Sequence, residues 1–490
     1  MPAIPKRRMV VWRPHGDVQC GGTGRIQIQS ADKIDLKRIG GNFMNGKTGW
    51  ILFLAFVVIM GVYGTSFAKT TITWWINPWR IAPPGMDESQ APTAEDFPRW
   101  ASEEFMRLNP DVEVVYEVVT NQGFEEKISA SILARRTPDL MKDLVFRKEW
   151  AERGLLEPID DYLLEEDIAD WYDYTLKKGF INGQHFIFPW NNSNNGMGNA
   201  MLLNPAIFAE RGVEMPALPS RSWTFDEFLE AAKKLSYDSD GDGVNDHYAL
   251  SFAATDLLNS TAWLYVFGGR MFNDDETEVI LNSPEAVAGL QFMVDAIYEY
   301  EIAPRGAEGM GIYDVIGLFH QGKTAIGYGG PYEIGRIDRY VNEGQLQNAF
   351  DVHIAPYPHL PEVGQMAHHT SGGFIVFRQD DPEKLDKVME FANFLTNFEN
   401  TAALKTLLYV TARKSVNEVI YEGSKFADEI SVYMQAIDHG VPYFGSSDVN
   451  FSPAEPFLQA AFEAAFSRTK TPEQALEDFA REANRVLFDR

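Results

Sequence analysis

The sequence predicts an α/β protein of two lobes, each a mostly parallel β-sheet flanked by helices. Strand-like and helix-like segments alternate after residue 68, which is typical of a parallel sheet covered by helices. The 422 residues from Lys69 to Arg490 are more than one small hydrophobic core usually organises. Two extended stretches, at residues 183–195 and 350–358, interrupt the alternation and are interpreted as crossings between the lobes.

An apolar run at residues 50–68 has the features of a secretory signal peptide. Lys47 precedes it, its centre is apolar, and the small residues Ser66 and Ala68 stand before a cleavage point. The run is short for a membrane span, so we expect cleavage near Ala68 and a periplasmic or extracellular protein. Because Met44 would start a leader of ordinary length, we expect residues 1–43 to come from an over-long gene prediction. A cytoplasmic tail on a retained membrane anchor is the alternative, and N-terminal sequencing distinguishes the two.

The amino-acid composition excludes several classes of function. The first 68 residues hold nine of the 43 basic and three of the 70 acidic residues, so the remainder carries a net charge of −33. Such a surface repels nucleic acid and anionic lipid, and we expect no nucleic-acid partner. Cys20 is the only cysteine, so residues 69–490 contain no disulfide, thiol nucleophile, thiolate metal site or lipoprotein acceptor. We expect a free, monomeric protein.

The alternation is clearest in the first part of the chain. Residues 70–76 have the period of two that a strand requires, with Ile72, Trp74 and Ile76 on one side and Trp75 on the other. Trp74 is therefore expected in the core. Strands are also predicted at residues 112–120 and from 137, and helices at 97–108, 124–135 and 149–154.

Helices dominate the second part of the chain. Thr224, followed three residues later by Glu227, forms a capping box that starts a helix at residues 225–235. Ser283 before Pro284 marks the start of the next one. Further helices are predicted at residues 285–300, 382–398, 403–408, 427–439 and 472–487, and a buried strand at 372–377.

The sharpest local motif is an aspartate-rich loop at residues 238–246. Its oxygen ligands fall on alternate residues, as in a calcium loop, and Gly243 takes the sixth position. The twelfth position, where a bidentate Glu is usual, is Ala249, so water or another segment would have to complete the shell. A structural Ca²⁺ site and a metal-free turn stay equally open, and no other cofactor is expected. The candidate ligands are Asp238, Asp240, Asp242, Asp246 and the carbonyl group of Val244.

The sequence contains no constellation of residues that indicates catalysis. Two matches to the P-loop pattern, at residues 41–48 and 317–324, lack the order of strand, loop and helix that phosphate binding needs. His368 and His369 cannot both face one metal from an extended strand. We therefore expect no enzymatic activity. A glycosidase whose two carboxylates meet only in the folded protein is the alternative.

Six passages, in the same order, resemble the extracellular solute-binding proteins of bacterial ABC importers, sugar-binding type. The passages are TPDL (137–140) with GLLEPIDDY (154–162), NAMLLNPAIF (199–208), SWTFDEF (222–228), FHQGKTAIGYGGPY (319–332), GGF (372–374) and ARKS (412–415). Leu203 stands where the family usually has Tyr, and Tyr332 stands where it usually has Trp. The resemblance covers about residues 70 to 490, and the family often carries an aspartate loop at the same place.

The resemblance implies a periplasmic-binding-protein fold of the maltose-binding-protein type, in which two lobes close on a solute in the cleft between them. It also implies delivery of the solute to the membrane permease of an ABC importer. Residues 69–189 with 358–411 would form the N-terminal lobe, and 190–357 with 412–490 the C-terminal lobe. The predicted function is capture of a sugar or oligosaccharide. A secreted carbohydrate-active hydrolase and a calcium-dependent sensor or adhesion module are the alternatives.

Residues near the carboxyl ends of the predicted strands are the candidates for ligand contact. Solutes of open α/β sheets bind there, and a sugar needs aromatic rings against its faces and planar polar groups around its hydroxyls. For Trp263, packing in a helix core is as well supported as contact with the ligand. For Arg413, the alternative to ligand contact is capping of a helix. The predicted contacts are Trp75, Asn77, Trp79, Arg80, Asp143, Trp190, Asn191, Asn192, Trp263, Tyr332, Glu333 and Arg413.

Overall fold

The structure is a computed structural model, and it describes most of the chain after residue 68. The described residues are 69–87, 91–120, 123–143, 146–192, 200–216, 222–346, 349–369, 371–436, 439–442 and 449–489. The predicted signal peptide and the alternative start at Met44 lie outside this range. In the described part of the chain, no helix combines the length and the apolar character that a bilayer crossing requires.

The described residues form twelve strands. They are β1 (Thr70–Ile76), β2 (Val112–Val118), β3 (Leu140–Lys142), β4 (Phe180–Ile181), β5 (Gln184–His185), β6 (Phe188–Asn191), β7 (Ala200–Leu203), β8 (Ile326–Tyr328), β9 (His353–Pro356), β10 (Ala367–His369), β11 (Gly372–Val376) and β12 (Gly440–Pro442).

Helices cover most of the remaining described chain. The first eight are α1 (Asp96–Leu108), α2 (Phe124–Ala134), α3 (Lys148–Glu152), α4 (Glu165–Asp170), α5 (Asp173–Lys177), α6 (Pro205–Arg211), α7 (Phe225–Leu235) and α8 (Leu257–Val266). They are followed by α9 (Pro284–Tyr298), α10 (Ile312–His320), α11 (Tyr332–Asn342), α12 (Pro382–Thr396), α13 (Phe398–Thr401), α14 (Lys414–Ile420), α15 (Ala427–Ala436), α16 (Glu455–Phe466) and α17 (Pro472–Phe488). Short 3₁₀ turns occur at Asp160–Tyr162, Ala402–Leu407 and Ser452–Ala454.

The first lobe is built on a five-stranded sheet with the strand order β2-β1-β3-β11-β6. The pairs β1–β2 and β1–β3 are parallel, as the alternation predicts, whereas β11 runs antiparallel to both β3 and β6. The predicted alternation in β1 is confirmed, because Ile72, Trp74 and Ile76 are all buried on one face. The Trp74 indole donates a hydrogen bond to Ser102 Oγ at 3.1 Å, which satisfies its only donor in the core.

The second lobe is built on a three-stranded sheet with the order β8-β7-β9. Both pairings in this sheet are antiparallel, so the prediction of a mostly parallel sheet does not hold here. The stretch at residues 350–358, interpreted as a crossing, supplies strand β9 of this sheet. The stretch at residues 183–195 likewise contains β6, an edge strand of the first sheet, and residues 193–195 lie outside the described chain.

Each sheet has apolar clusters of its own on both faces. In the first lobe Trp74 packs edge-on against Phe391, with ring centroids 5.3 Å apart. In the second lobe the ring centroids of Trp263 and Phe292 are 5.0 Å apart, and both residues belong to one buried apolar cluster. Separate cores of this kind are what two lobes require.

Local helix signals are confirmed. The capping box predicted at the start of α7 is present, since Thr224 and Glu227 exchange hydrogen bonds of 2.9 and 3.3 Å. Ser283 caps α9 as predicted. The second P-loop match lies at the end of α10 and before β8, which is the reverse of the order that phosphate binding needs.

Candidate ligand-binding site

Four polar residues lie at one edge of the first sheet, the edge formed by the carboxyl-terminal ends of β1, β3 and β6. Asn77 follows β1, Asp143 follows β3, and Asn191 and Asn192 end and follow β6. The parallel pairing of Trp74 with Leu140 places Asn77 level with Asp143. All four side chains are buried, at 0 to 1% exposure. The structure therefore brings these four predicted contacts to the edge where solutes of α/β sheets bind.

Two lysines that were not predicted also lie at this edge. Lys178 Nζ is 2.8 Å from Asp143 Oδ2 and donates to the carbonyl oxygen of Ser371 at 2.5 Å. Lys142 is fully buried; its Nζ donates to the Asp143 carbonyl oxygen at 2.9 Å and lies 4.9 Å from the centre of the Trp79 ring. Burial lowers the pKa of Lys142 to about 7, with nearby Asp143 acting in the opposite direction. Nothing in the sequence around Lys142, which ends a short strand, distinguishes it from a lysine exposed to solvent.

Aromatic rings of the two lobes meet in a row formed by Trp79, Tyr409 and Tyr332. Trp79, beyond β1, stacks against Trp190 at 5.8 Å and meets Tyr409 edge-on at 5.2 Å. Tyr409 in turn meets Tyr332 edge-on at 6.1 Å. Tyr332 begins α11 of the second lobe, so this aromatic row joins the lobes. Trp79 and Tyr332 are half-buried, as rings at a ligand site should be.

Glu333 and Arg336 form a charged pair beside the aromatic row. Glu333 is 1% exposed; its Oε2 lies 3.0 Å from His320 Nε2, and its Oε1 accepts a hydrogen bond from Arg336 Nη1 at 2.5 Å. The Arg336 guanidinium lies over the Tyr332 ring at 4.4 Å. Glu333 was predicted to contact ligand, yet both of its oxygens already have partners within the protein. Arg336 was not predicted.

Asp256 is a buried carboxylate in the second lobe that the sequence reasoning missed. It caps α8 and accepts hydrogen bonds from the amide and the side chain of Asn259, the latter at 2.5 Å. Burial raises its pKa to about 6, and the bonds from Asn259 oppose that rise. Its charge also helps to raise the pKa of Tyr332 and Tyr357, after the larger effect of burial, so it lies within electrostatic reach of the aromatic row. The capping pattern of Asp256 and Asn259, ahead of an aromatic helix, was the available signal.

Ionic and polar contacts join the lobes at two further places. Arg80, beyond β1, lies 3.3 Å from Glu343 at the end of α11, with both side chains substantially exposed. Asn450, ahead of α16, donates to both oxygens of Glu149 on α3 at 3.1 Å. Arg80, a predicted ligand contact, is therefore placed at the rim and faces a carboxylate of the opposite lobe.

Four predicted contacts pack elsewhere. Trp75 lies on the opposite face of the first sheet, under the Lys127 ammonium at 4.6 Å. Trp190 is fully buried between Trp79 and Phe374 in the core of the first lobe. Trp263 is fully buried in the second core, where its indole donates to Tyr328 Oη at 3.1 Å, so the core-packing alternative describes it.

Arg413 is the fourth of these residues, and all three of its guanidinium nitrogens are bonded within the protein. Its Nε donates to the Thr396 carbonyl oxygen at 2.7 Å. Nη2 and Nη1 bind Asp167 and Asp170 at 2.6 and 3.2 Å, and the guanidinium lies 5.1 Å from the Trp171 ring. The side chain is 7% exposed, and each of its nitrogens has a partner within the protein, so it ties together elements of the fold.

The aspartate-rich loop brings three of its four carboxylates together. One oxygen each of Asp238, Asp240 and Asp242 lie within 4.8 Å of one another. Asp246 is not part of this group. It accepts hydrogen bonds from Ser239 and lies near Lys323, at 3.3 Å, and these contacts lower its pKa. Ala249, at the twelfth position, is fully buried. Three carboxylates on a tight turn fit a hard cation, provided that water supplies the missing ligands.

Comparisons with known proteins agree with this architecture. Residues 89–402 match the family of bacterial extracellular solute-binding proteins. A maltotriose-binding protein of Pyrococcus abyssi is 27% identical over 269 residues, which are 54% of this chain and 51% of that protein. The match therefore spans about half the length of that curated relative.

Solved structures show the same two-lobe fold. An ABC substrate-binding protein from Listeria monocytogenes, in complex with cycloalternan, has a TM-score of 0.66 at 21% identity, over 85% of this chain and 99% of that one. A cyclic α-maltosyl-1,6-maltose binding protein from Arthrobacter globiformis has a TM-score of 0.67 at 19% identity, over 86% of this chain and all of the other.

Proposed function

Because this chain belongs to the bacterial extracellular solute-binding proteins, we propose that it captures a sugar or oligosaccharide between its two lobes and performs no chemistry on it. The protein would be secreted through its predicted signal peptide and would deliver the solute to the membrane permease of an ABC importer. The names of its relatives support a carbohydrate ligand, since they bind maltotriose, cycloalternan and a cyclic maltosyl-maltose.

The observation that carries the proposal is the aromatic row that joins the lobes, flanked by buried polar groups. Trp79 and Tyr332 supply ring surfaces from opposite lobes. Asp143 and Asp256 supply buried carboxylates that can accept hydrogen bonds from sugar hydroxyls. Rings together with a few oriented polar groups are the combination that a sugar requires. We assign the solute contacts to Asn77, Trp79, Arg80, Asp143, Asn191, Asn192, Asp256 and Tyr332.

The experiment is a thermal-shift screen of residues 69–490 against mono- and oligosaccharides, polyols and phosphorylated polyols. A ligand that binds only the folded protein adds about 2.7 kcal/mol of stability at a hundredfold excess over its Kd. Any active sugar is then incubated with the protein at high concentration and analysed by chromatography. An intact sugar supports binding without chemistry, whereas hydrolysis products that disappear on Asp143→Asn would favour the hydrolase. A screen in which no sugar stabilises the protein contradicts the proposal.

The aspartate-rich loop is proposed as a structural Ca²⁺ site, independent of the solute site. Asp238, Asp240, Asp242 and the Val244 carbonyl would bind the ion, and Asp246, the fourth predicted ligand, would act through water. The test measures the melting temperature with EDTA and with millimolar CaCl₂, for the wild type and for Asp240→Asn. A rise in melting temperature with calcium that is lost in the variant supports the site. Equal melting temperatures indicate a metal-free turn.

A further inference from the structure

The guanidinium of Arg336 has one bonded end and one free edge. Glu333 Oε1 accepts from Nη1 alone. Nε and Nη2, which point the same way from the planar guanidinium, have no acceptor among the described residues. These two N–H groups together form the edge that binds two neighbouring oxygen atoms at once.

The free edge lies at the junction of the lobes. Arg336 stacks on Tyr332 at 4.4 Å. Burial acts to lower the pKa of Arg336, but the pKa is raised overall by Glu333 and, to a smaller extent, by Tyr332, Tyr340 and Tyr409. Tyr409 belongs to the aromatic row and contacts Trp79 of the first lobe. The side chain is 28% exposed, so part of it is in contact with solvent.

The base of Arg336 is held in place by buried groups. Glu333 is 1% exposed and His320 is 8% exposed. The 3.0 Å contact between His320 Nε2 and Glu333 Oε2 holds in place the carboxylate that accepts the hydrogen bond from Arg336 Nη1. Gly329 allows this packing, because a Cβ at that position would come within 2.8 Å of Glu333 Cγ. A donor held in this way loses little side-chain entropy when a ligand arrives.

We infer that Arg336 is a specificity-determining residue, whose Nε/Nη2 edge donates two parallel hydrogen bonds to a pair of adjacent oxygens on the solute. Glu333 and His320 are positioning residues that aim it and do not touch the solute. The oxygen pair is supplied either by neighbouring hydroxyls of a neutral sugar or by the carboxylate of an acidic one. This inference rests on the proposed function, since it names how the same site recognises its ligand.

The test uses isothermal titration calorimetry with maltotriose and with digalacturonate, which supply the two kinds of oxygen pair. We expect Arg336→Ala to weaken binding of the recognised probe about 10- to 100-fold, because two charge-assisted hydrogen bonds are lost. Arg336→Lys keeps the charge without the fork and should restore little of the affinity. Glu333→Gln should weaken binding about 3- to 10-fold. Arg339→Ala, one turn along the same helix and similarly exposed at 34%, is the matched control and should stay within twofold.

The outcomes separate the role inferred for Arg336 from the proposed function of the protein. Wild-type affinity in either Arg336→Ala or Arg336→Lys overturns the inference and leaves sugar binding intact. Loss of affinity in Arg336→Ala that Arg336→Lys fully restores also overturns it, because a single charge would then suffice. If neither maltotriose nor digalacturonate binds the wild type, the inference is overturned, whereas the proposed carbohydrate function is decided by the wider thermal-shift screen. Circular dichroism and melting curves of each variant identify losses caused by misfolding, and Arg336→Gln replaces any variant that unfolds.

Discussion

Arg413 and Arg336 show two uses of the same side chain in one protein. Arg413 is buried, and its three nitrogens bind Thr396, Asp167 and Asp170. Arg336 binds one carboxylate through one nitrogen, and its Nε/Nη2 edge has no acceptor in the part of the chain that the structure describes. Both lie on an aromatic ring, at 5.1 and 4.4 Å. An arginine whose nitrogens are all bonded within the protein maintains the fold, whereas one with an unbonded edge at the junction of the lobes is available for ligand recognition.

The largest expected effect is on stability, from Arg413→Ala. The change leaves Asp167 and Asp170, which are 16 and 18% exposed, without their cation. Removing one partner of a buried ion pair costs about 3 to 5 kcal/mol, and we expect the lower end because the carboxylates are partly solvated. Urea unfolding measures the loss. The affinity of the folded variant for its sugar should stay within twofold, and a large loss of affinity at full folding would contradict the division between the two arginines.

Asp256 provides a second contrast with Arg413, because its buried charge lowers the stability of the unliganded protein. Its folded-state pKa of about 6 lies above its ordinary value of 3.8, so the folded state holds the proton more tightly. Stability should therefore fall as pH rises from 3.8 to 6, by up to about 3 kcal/mol, and stay low above that window. Asp256→Asn should flatten this dependence and raise stability at pH 8, while it weakens sugar binding.

Urea unfolding of the wild type and Asp256→Asn at intervals between pH 4 and 8 measures this effect. Asp96→Asn is the control, since its partly exposed carboxyl group has a lowered pKa, set first by its hydrogen bond from the Thr93 backbone. If the free energy of unfolding depends on pH in the same way for Asp256→Asn and the wild type, ionisation of Asp256 does not cause the loss of stability.

The tryptophans test the same division in aromatic residues. Trp79→Ala should weaken sugar binding about 10- to 100-fold, because it removes the ring that the first lobe contributes to the aromatic row. Trp100, a half-buried ring that stacks on Phe394 in the same lobe, serves as the control, and Trp100→Phe should leave affinity unchanged. Calorimetry with the strongest ligand of the screen gives both values. Equal affinities for the two variants would place the solute away from the row.

Local rules explain which features could be predicted from sequence. The capping box of Thr224, the cap at Ser283 and the buried face of β1 depend on residues within a few positions, and all three are confirmed. The antiparallel second sheet could not be predicted, since β7 pairs with strands more than a hundred residues away. The roles of Arg413 and Arg336 were equally hidden. One nitrogen of Arg413 donates to Asp167, 246 positions earlier, and periodicity contains no information about such a partner.

The smallest expected effect concerns the rim pair of Arg80 and Glu343. Their side chains are 46 and 36% exposed, so water and salt screen the 3.3 Å contact, and such pairs contribute at most about 1 kcal/mol. A double-mutant cycle on sugar affinity, with Arg80→Ala and Glu343→Ala, should give a coupling below this value that vanishes in 0.5 M KCl. Arg80 is also a proposed solute contact, and the cycle separates the two roles. A loss caused by Arg80→Ala that persists without Glu343 and in high salt would place its donors on the solute, as in Arg336. If Arg80→Ala lowers sugar affinity only when Glu343 is present, Arg80, like Arg413, bonds only within the protein.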